Sequence, residues 1–232
     1  MKTFAFIFAR GNSKGVPGKN IRNLAGKPLL AYSIIMAQNI DEISRVFVST
    51  DNQDIANIGI KYGAEIIDRP VELAQDDSPE WLAWRHAIEW LENREEYFDC
   101  FVSLPTTSPL RNESDVIRCL NLLDEQTDIV VTMTNASRSP HFNMVSEQDG
   151  YVKLLMENES EYSRRQDVPI AYDMTTVAYV TRPNFIKNNN KIFDGQVKAS
   201  LVPKERAVDI DDEIDFKIAE MLMMEIKENT DA

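Results

Sequence analysis

Residues able to bind an anion are concentrated in one stretch near the start of the sequence. The segment ARGNSKGVPGKN, residues 9–20, contains three glycines and the three cations Arg10, Lys14 and Lys19. It directly follows the apolar run FAFIF. Glycines let a backbone approach a phosphate closely, and nearby amides and cations can then neutralise its charge. The stretch therefore predicts a phosphate-binding loop that leaves a buried strand.

The loop matches neither of two common phosphate-binding motifs. Gly18 and Lys19 are followed by Asn20, where a P-loop requires Ser or Thr. The spacing of Gly11, Gly15 and Gly18 also differs from the dinucleotide-binding fingerprint. A simple turn from strand to helix needs neither these cations nor this length. We interpret the segment as a nucleotide-binding loop of another type.

A second group of chemically active residues lies near the other end of the sequence, in VDIDDEIDF, residues 208–216. In an extended segment Asp209 and Asp211 point to the same face. Two adjacent carboxylates repel unless a cation joins them, and Mg²⁺ binds one or two carboxylates together with phosphate oxygens. Alternatively, the acidic residues complement the N-terminus of the last helix, which suits Asp212 and Glu213 better than Asp209.

Charge and composition limit the possible ligands. The 232 residues carry a net charge of −13, which argues against nucleic acid or an anionic membrane as the partner. The first forty residues nevertheless contain six Lys or Arg and no Asp or Glu. A cationic segment in an acidic protein indicates a local site for a small anion.

The two cysteines, Cys100 and Cys119, lie in apolar segments and lack metal-ligand spacing. We expect buried free thiols and a reducing, cytoplasmic environment. No apolar run approaches the length of a membrane span.

Predicted strands and helices alternate from the N-terminus to about residue 134, as in a mostly parallel sheet with helices on both faces. Asp51 and Ser78 are predicted helix caps, and Pro28 is placed in the first turn of the first helix. The predicted strands cover residues 3–8, 45–50, 64–67, 99–104, 128–134, 196–203 and 205–210, and the predicted helices cover 27–40, 51–63, 78–97, 114–126, 182–190 and 212–229.

The regular alternation stops at residue 137. Residues 137–180 contain short segments separated by turn residues, which predict β-hairpins and loops in a projecting arm. We expect one doubly wound α/β domain over residues 1–232, with this arm as an excursion. In such a sheet the loop after the first strand lies at the carboxyl edge, where ligands bind.

Five segments carry a further signal: ARGNSKGVPGKNI, VSTDNQDIANIGIKYGAEIIDRPVELAQDDS, PTTSPLR, SRRQDVP and VDIDDEIDF. Taken in order, they resemble the CMP-sialic acid synthetases, the cytidylyltransferases that activate nonulosonic acids. The resemblance covers essentially the whole chain and extends to the relatives that activate Kdo (3-deoxy-manno-octulosonate). Asn12 stands where the family usually has glycine, and Asn tolerates left-handed backbone better than most residues.

The resemblance implies nucleotidyl transfer from CTP to a 2-keto acid sugar, with release of pyrophosphate. It assigns Mg²⁺ to Asp209 and Asp211, and catalytic roles to Arg10, Lys19 and Asp211. The implied nucleotide contacts are Arg10, Gly11, Ser13, Lys14, Lys19, Asn20, Arg69 and Ser78. Ordinary alternatives are a solvated charge for Arg69 and a helix cap alone for Ser78.

The resemblance also implies a sugar site. Arg165 in SRRQDVP matches the position expected to pair with the sugar carboxylate, and Tyr179 and Phe193 match aromatics of the sugar pocket, although either can be plain core. The sequence departs from N-acetylneuraminate enzymes at Pro105, where glutamine is usual, and at residues 174–176, Met-Thr-Thr, where Asn-Gly is usual. Legionaminate-like and pseudaminate-like sugars therefore stay open.

Taken together, these features predict a Mg²⁺-dependent CMP-nonulosonate synthetase that forms a homodimer through the arm, as the resemblance implies. One alternative is a Kdo cytidylyltransferase. Another, from a different class, is a non-catalytic nucleotide-binding regulator of the same fold. The pairing of Asp209 and Asp211 with a cationic loop argues against the regulator, since a binder needs no metal pair.

Overall fold

The structure is a computed structural model that describes residues 1–156, 164 and 168–231. In chain order the strands are β1 (Thr3–Phe8), β2 (Asn23–Leu24), β3 (Lys27–Pro28), β4 (Ile43–Thr50), β5 (Glu65–Asp68), β6 (Cys100–Ser103), β7 (Ile129–Asn135), β8 (Val145–Gln148), β9 (Tyr151–Leu154), β10 (Tyr172–Thr181) and β11 (Val197–Leu201). The α-helices are α1 (Leu29–Gln38), α2 (Gln53–Lys61), α3 (Glu80–Glu92), α4 (Glu113–Leu122), α5 (Pro183–Asn188) and α6 (Glu213–Asp231).

A seven-stranded sheet in the order β11-β7-β10-β6-β1-β4-β5 forms the centre of the molecule. β10 runs antiparallel to both of its neighbours, β6 and β7, whereas the other paired strands of this sheet are parallel. The predicted mostly parallel sheet is confirmed.

The alternation of side chains along β1 explains why helices cover both faces of the sheet. Phe4 and Phe6 point into a core built with Trp84 of α3. Ala5 and Ile7 point into a second core, built with residues of α1 and α4. Because both faces of β1 are apolar, the strand is stable only between two helical layers.

Three predicted helix starts are wrong. Asn52, and not Asp51, caps α2, since its side chain accepts the backbone N–H groups of Asp54 and Ile55. Helix α3 begins at Glu80 after Pro79, so Ser78 does not cap it. Pro28, which was predicted in the first turn of α1, instead precedes that helix.

The strand predicted at residues 205–210 is also wrong. Lys204–Arg206 form a 3₁₀ helix that follows Pro203, and residues 207–211 carry no regular secondary structure. Side-chain bonds replace the ladder: both Arg206 Nε and Nη2 donate to the buried Asp115 carboxylate, at 2.9 and 3.0 Å. The Ile210 N–H donates to the Thr107 carbonyl at 2.9 Å. These bonds fix the segment that leads into the acidic residues.

The predicted arm contains an exposed hairpin. β8 and β9 pair with each other only, and all their residues are exposed. Both cysteines are buried free thiols, as expected. None of the helices in the described residues combines the length and apolar character needed to cross a membrane.

Candidate active site

A cleft of about 360 Å³ opens beyond the carboxyl ends of β1 and β6. This edge of a parallel sheet is where α/β proteins bind ligands. Its walls come from the loops that follow β1, β5 and β6, from β10, and from the segment before α6. The lining residues are Phe8, Arg10, Arg69, Leu73, Gln75, Asp76, Ser78, Glu80, Pro105, Thr106, Thr107, Thr176, Asp209 and Asp211.

The loop after β1 is held by its own polar residues. Gly18 adopts a left-handed conformation with φ 65° and introduces a 3₁₀ helix over Lys19–Ile21. The buried Asn20 side chain donates to the Arg10 carbonyl at 3.0 Å and accepts from Thr106 Oγ1 at 2.7 Å. Asn20, predicted to contact nucleotide, therefore uses its side chain to tie the loop to the segment after β6.

Two of the three loop cations form ion pairs with a single carboxylate. Asp76 accepts from Arg10 Nη1 at 2.7 Å and from Lys14 Nζ at 2.7 Å. Gly11 is held differently, since its N–H donates to the Asp51 carboxylate at 2.9 Å. Ser13 and Lys14 lie on the same loop but are not among the residues that line the cleft.

The loop and the acidic segment touch each other. Lys19 Nζ donates to the Ile210 carbonyl at 2.5 Å. Burial lowers the pKa of Lys19, and the carboxylates of Asp211 and Asp209 oppose that shift. A Cβ on Gly15 would lie 1.9 Å from the Asp211 carbonyl oxygen, so only glycine fits this close approach. The two charged regions therefore form one site.

Asp209 and Asp211 both line the cleft, as the alternation argument predicted. Asp209 Oδ1 is buried and has no hydrogen-bond partner in the described part of the chain. Burial, and then the neighbouring Asp209 charge, raise the pKa of Asp211, while Lys19 opposes the shift. Such a pair of carboxylates is stabilised by a bound cation.

The helix-capping role belongs to neighbouring residues. Asp212 Oδ1 accepts the backbone N–H groups of Ile214 and Asp215 at 2.7 and 3.0 Å. Asp215 Oδ2 in turn accepts the N–H groups of Asp211 and Asp212 at 3.0 and 3.1 Å. The start of α6 is therefore satisfied without the side chains of Asp209 and Asp211.

Arg69 and Ser78 extend the cleft away from the loop. Arg69 is buried and donates from Nε and Nη2 to Ser49 Oγ and O, at 3.1 and 2.5 Å. Burial lowers the pKa of Arg69 to about 10. The solvated-charge alternative for Arg69 is thus wrong. Ser78 Oγ is buried without a partner among the described residues, and it borders the cleft.

The predicted sugar residues are placed differently from one another. Tyr179 is buried against Trp84, with ring centroids 5.5 Å apart, and burial together with Glu80 and Asp209 raises the pKa of its hydroxyl to about 12. Phe193 lies on the 3₁₀ helix Ile192–Asp194, is 70% exposed and is not a lining residue of the cleft. Arg165 lies outside the described residues.

Sequence reasoning missed the roles of Asp76, Glu80 and Arg111. Burial raises the pKa of Glu80, and the nearby Asp209 adds to the effect. The buried Arg111 donates to Ser33 Oγ at 3.1 Å and to the Pro105 carbonyl, and burial lowers its pKa to about 9. The motif PTTSPLR contained Arg111, but only the folded chain places it beneath the cleft.

The arrangement places cationic groups and a carboxylate pair around one polar cleft. Such a site suits a phosphorylated ligand that arrives with a divalent cation, because each group then has a partner of opposite charge. Fold and site together are typical of an α/β nucleotide-binding enzyme.

Comparison with known proteins agrees with this class. Residues 4–222 match the family model for cytidylyltransferases. The chain is 36% identical over 225 residues to the post-translational flagellin modification protein B of Campylobacter coli, covering 94% of both chains. It is 34% identical over 222 residues to the CMP-N,N′-diacetyllegionaminic acid synthase of Campylobacter jejuni, covering 94% of this chain and 93% of that one.

A solved structure of CMP:2-keto-3-deoxy-manno-octonic acid synthetase complexed with CTP shares the fold. Its TM-score is 0.73 at 15% identity, and the match covers 97% of this chain and all of that one, 100%. The solved structure shows the fold, and the family match and the curated relatives make the protein a nucleotidyltransferase. The chain belongs to the cytidylyltransferase family.

Proposed function

We propose that the protein transfers CMP from CTP to the anomeric hydroxyl of a nonulosonic acid, giving the CMP-sugar and pyrophosphate. The observation that carries this proposal is the contact between the cationic loop and the segment that bears the carboxylate pair, beside one cleft, in a chain of this family. The likeness to the CMP-N,N′-diacetyllegionaminic acid synthase of Campylobacter jejuni supports the sugar class.

Nucleotidyl transfer at an α-phosphate requires charge neutralisation and alignment of the attacking hydroxyl. In this scheme Arg10 and Lys14 bind the triphosphate, since both lie on the loop and present charged nitrogen atoms. Lys19, held by the Ile210 carbonyl, contributes a fixed positive charge where negative charge develops. Arg69 and Ser78 bind farther along the nucleotide, and Arg165 is proposed to pair with the sugar carboxylate.

Asp209 and Asp211 fit a Mg²⁺ ion. The buried Asp209 Oδ1 lacks a partner among the described residues, and the pKa of Asp211 is raised by burial and by Asp209. Oxygen ligands of this kind suit a hard cation that also binds phosphate oxygens. When bound, Mg²⁺ would offset negative charge on the phosphates. A binding-only regulator has no use for this pair, which favours the enzyme.

The sugar end of the cleft favours a legionaminate-like substrate over N-acetylneuraminate. Pro105 lines the cleft without a side-chain hydrogen-bonding group, and its carbonyl already accepts from Arg111. Thr176, also in the lining, shares hydrogen bonds with Ser108 and Thr107 at 2.8 and 3.3 Å. The cleft thus offers hydroxyl groups and an apolar ring where the resemblance gives N-acetylneuraminate enzymes side-chain amides.

The proposal includes a cytoplasmic homodimer. The surface that supports a dimer is the hairpin β8–β9, where Val145, Tyr151 and Val152 are 56%, 79% and 63% exposed. Apolar groups so exposed on a projecting hairpin are typical of an interface. The buried thiols of Cys100 and Cys119 agree with a reducing compartment.

The test is pyrophosphate release with a panel of sugars and nucleotides. With CTP and Mg²⁺ we expect N,N′-diacetyllegionaminate to give the highest kcat/KM, ahead of pseudaminate, N-acetylneuraminate and Kdo. Replacing CTP by ATP, GTP or UTP should abolish most of the rate. Highest activity on Kdo would favour the Kdo enzyme, and tight CTP binding without turnover of any sugar would favour the regulator.

A further inference from the structure

Asp76 lies between two cations that the proposed function assigns to the triphosphate. It belongs to the irregular segment between the 3₁₀ helix Val71–Leu73 and α3, and it lines the cleft. Its two carboxylate oxygens are used separately: Oδ1 accepts from Arg10 Nη1 and Oδ2 from Lys14 Nζ, each at 2.7 Å. One carboxylate thus pairs with both cations and offsets part of their combined charge.

Asp76 is ionised at neutral pH. Its hydrogen bond with Lys14 is the main cause that holds its pKa below the ordinary value, and the charge of Arg10 adds to the effect. Its negative charge therefore occupies a position next to the donors that a phosphate needs.

A triphosphate and the Asp76 carboxylate compete for the same nitrogen atoms. If Asp76 stayed in place, its charge would lie beside several phosphate charges, and like charges at such distances repel. The Lys14 side chain is 77% exposed, so it can turn from the carboxylate toward a phosphate with little loss of packing. Arg10, at 32% exposure, is more constrained but keeps further donors on its guanidinium.

We propose that Asp76 is an internal counter-ion of the nucleotide site: it orders Arg10 at the cleft and Lys14 on the adjoining loop, and it is exchanged for the triphosphate when nucleotide binds. The inference rests on the placement of the triphosphate in the proposed function, but not on the identity of the sugar. It implies that part of the binding free energy of CTP is used to break two existing ion pairs.

The experiment compares Asp76→Asn with the matched variant Asp77→Asn. Both remove one negative charge from adjacent residues, and Asp77 is exposed and does not line the cleft. Dissociation constants are measured by calorimetry for CTP, inorganic tripolyphosphate and cytidine, with Mg²⁺ constant and no sugar present. Melting temperatures confirm that both variants are folded.

We expect Asp76→Asn to bind CTP and tripolyphosphate roughly two- to fivefold more tightly than wild type, the scale of one exposed ion pair. Cytidine, which carries no phosphate, should bind unchanged, and Asp77→Asn should show a clearly smaller effect. The gain should also shrink as salt is added, because screening weakens the pairs that Asp76 forms.

Three results would overturn the proposal. Weaker binding of CTP by Asp76→Asn would mean that the carboxylate supports the bound state, either by positioning the cations or by binding metal. Equal affinities of Asp76→Asn and Asp77→Asn would mean that only net charge matters. Equal tightening for cytidine and CTP would mean that the cleft changes shape. Because no sugar is used, a wrong sugar assignment leaves these outcomes unaffected.

Discussion

The cationic loop of residues 9–20 and the acidic segment of residues 208–216 touch each other, but their charges are satisfied in different ways. Arg10 and Lys14 have a carboxylate partner, and Lys19 has a backbone carbonyl. The acidic segment instead keeps a buried Asp209 oxygen without a partner in the described residues. Each cation of the loop thus has a hydrogen-bonding partner among the described residues, whereas one buried oxygen of the acidic segment has none.

This difference indicates how each region meets its ligand. A region whose charges are already paired binds an anion by exchanging one partner for another, so the net free energy of binding is small. Its role is then to position the anion and to discriminate among ligands. A buried acceptor without a partner costs on the order of 1–3 kcal/mol, and a bound cation removes that cost. We therefore expect substitutions in the acidic segment to change the Mg²⁺ dependence strongly. Substitutions in the loop should instead change the turnover rate strongly.

The largest effect is expected for Lys19→Ala. Lys19 is the loop cation held against the acidic segment, so its loss removes a preorganised charge from the transition state. Turnover should fall roughly a hundredfold or more. The measurement is kcat for pyrophosphate release at saturating CTP, with Lys217→Ala, an exposed change on α6, as the control. A folded Lys19→Ala variant with a normal rate would show that the loop is not the triphosphate site.

The next effect concerns Asp211→Asn, which changes charge but little shape. Because the pKa of Asp211 is raised in the folded protein, its carboxyl favours the folded state most at low pH, where it is protonated. This contribution to the free energy of unfolding is lost as the pH rises through the folded-state pKa. At neutral pH and without metal, the variant should therefore be as stable as wild type or slightly more stable.

With Mg²⁺ and CTP the same variant should lose activity on the order of tenfold or more and should need more Mg²⁺ to reach half of its maximal rate. The measurements are a metal-free melting temperature and initial rates over a Mg²⁺ series. An unchanged Mg²⁺ dependence together with a lower melting temperature would contradict the metal role.

The sequence predicted what depends on local pattern. β1 was found because the short apolar and aromatic run of residues 3–8 ends at a glycine loop, and the structure buries it between two apolar layers. The carboxylate pair followed from the two-residue repeat of an extended segment. The helix cap at Asn52 was misplaced by one residue, because Asp51 is also a good cap and its use by Gly11 is a tertiary contact.

The counter-ion was not predictable in the same way. Asp76 and Arg10 are 66 positions apart, and nothing local distinguishes Asp76 from Asp77. Ser78 illustrates the opposite error, since its local pattern favours a helix cap while the fold buries its hydroxyl at the cleft. Local signals identify which residues can do chemistry, and tertiary contacts decide which charges are already paired.

A smaller effect is expected for Gly15→Ala, which tests the contact between the two regions. The added Cβ would lie 1.9 Å from the Asp211 carbonyl oxygen, so the backbone must move. Overpacking of this kind costs about 1–3 kcal/mol, and displacement of the loop should lower turnover severalfold. Thermal unfolding and initial rates check both effects, with Asn12→Ala, an exposed change in the same loop, as the stability control. Wild-type values in Gly15→Ala would show that the regions are not tightly coupled.

The smallest effect separates helix capping from metal binding inside the acidic segment. Asp212 Oδ1 accepts two N–H groups at the start of α6, whereas Asp211 lines the cleft. Asp212→Ala should therefore lower the free energy of unfolding by about 1 kcal/mol, as losing a helix cap does. In a chain of this size that loss corresponds to a decrease of roughly 2–4 °C in melting temperature. The Mg²⁺ dependence and kcat should stay at wild-type values.

The two variants should therefore give opposite patterns. Asp211→Asn should lower the rate and not the stability, and Asp212→Ala should lower the stability and not the rate. If Asp212→Ala instead reduced the rate and left the melting temperature unchanged, the assignment of the two adjacent carboxylates would have to be reversed.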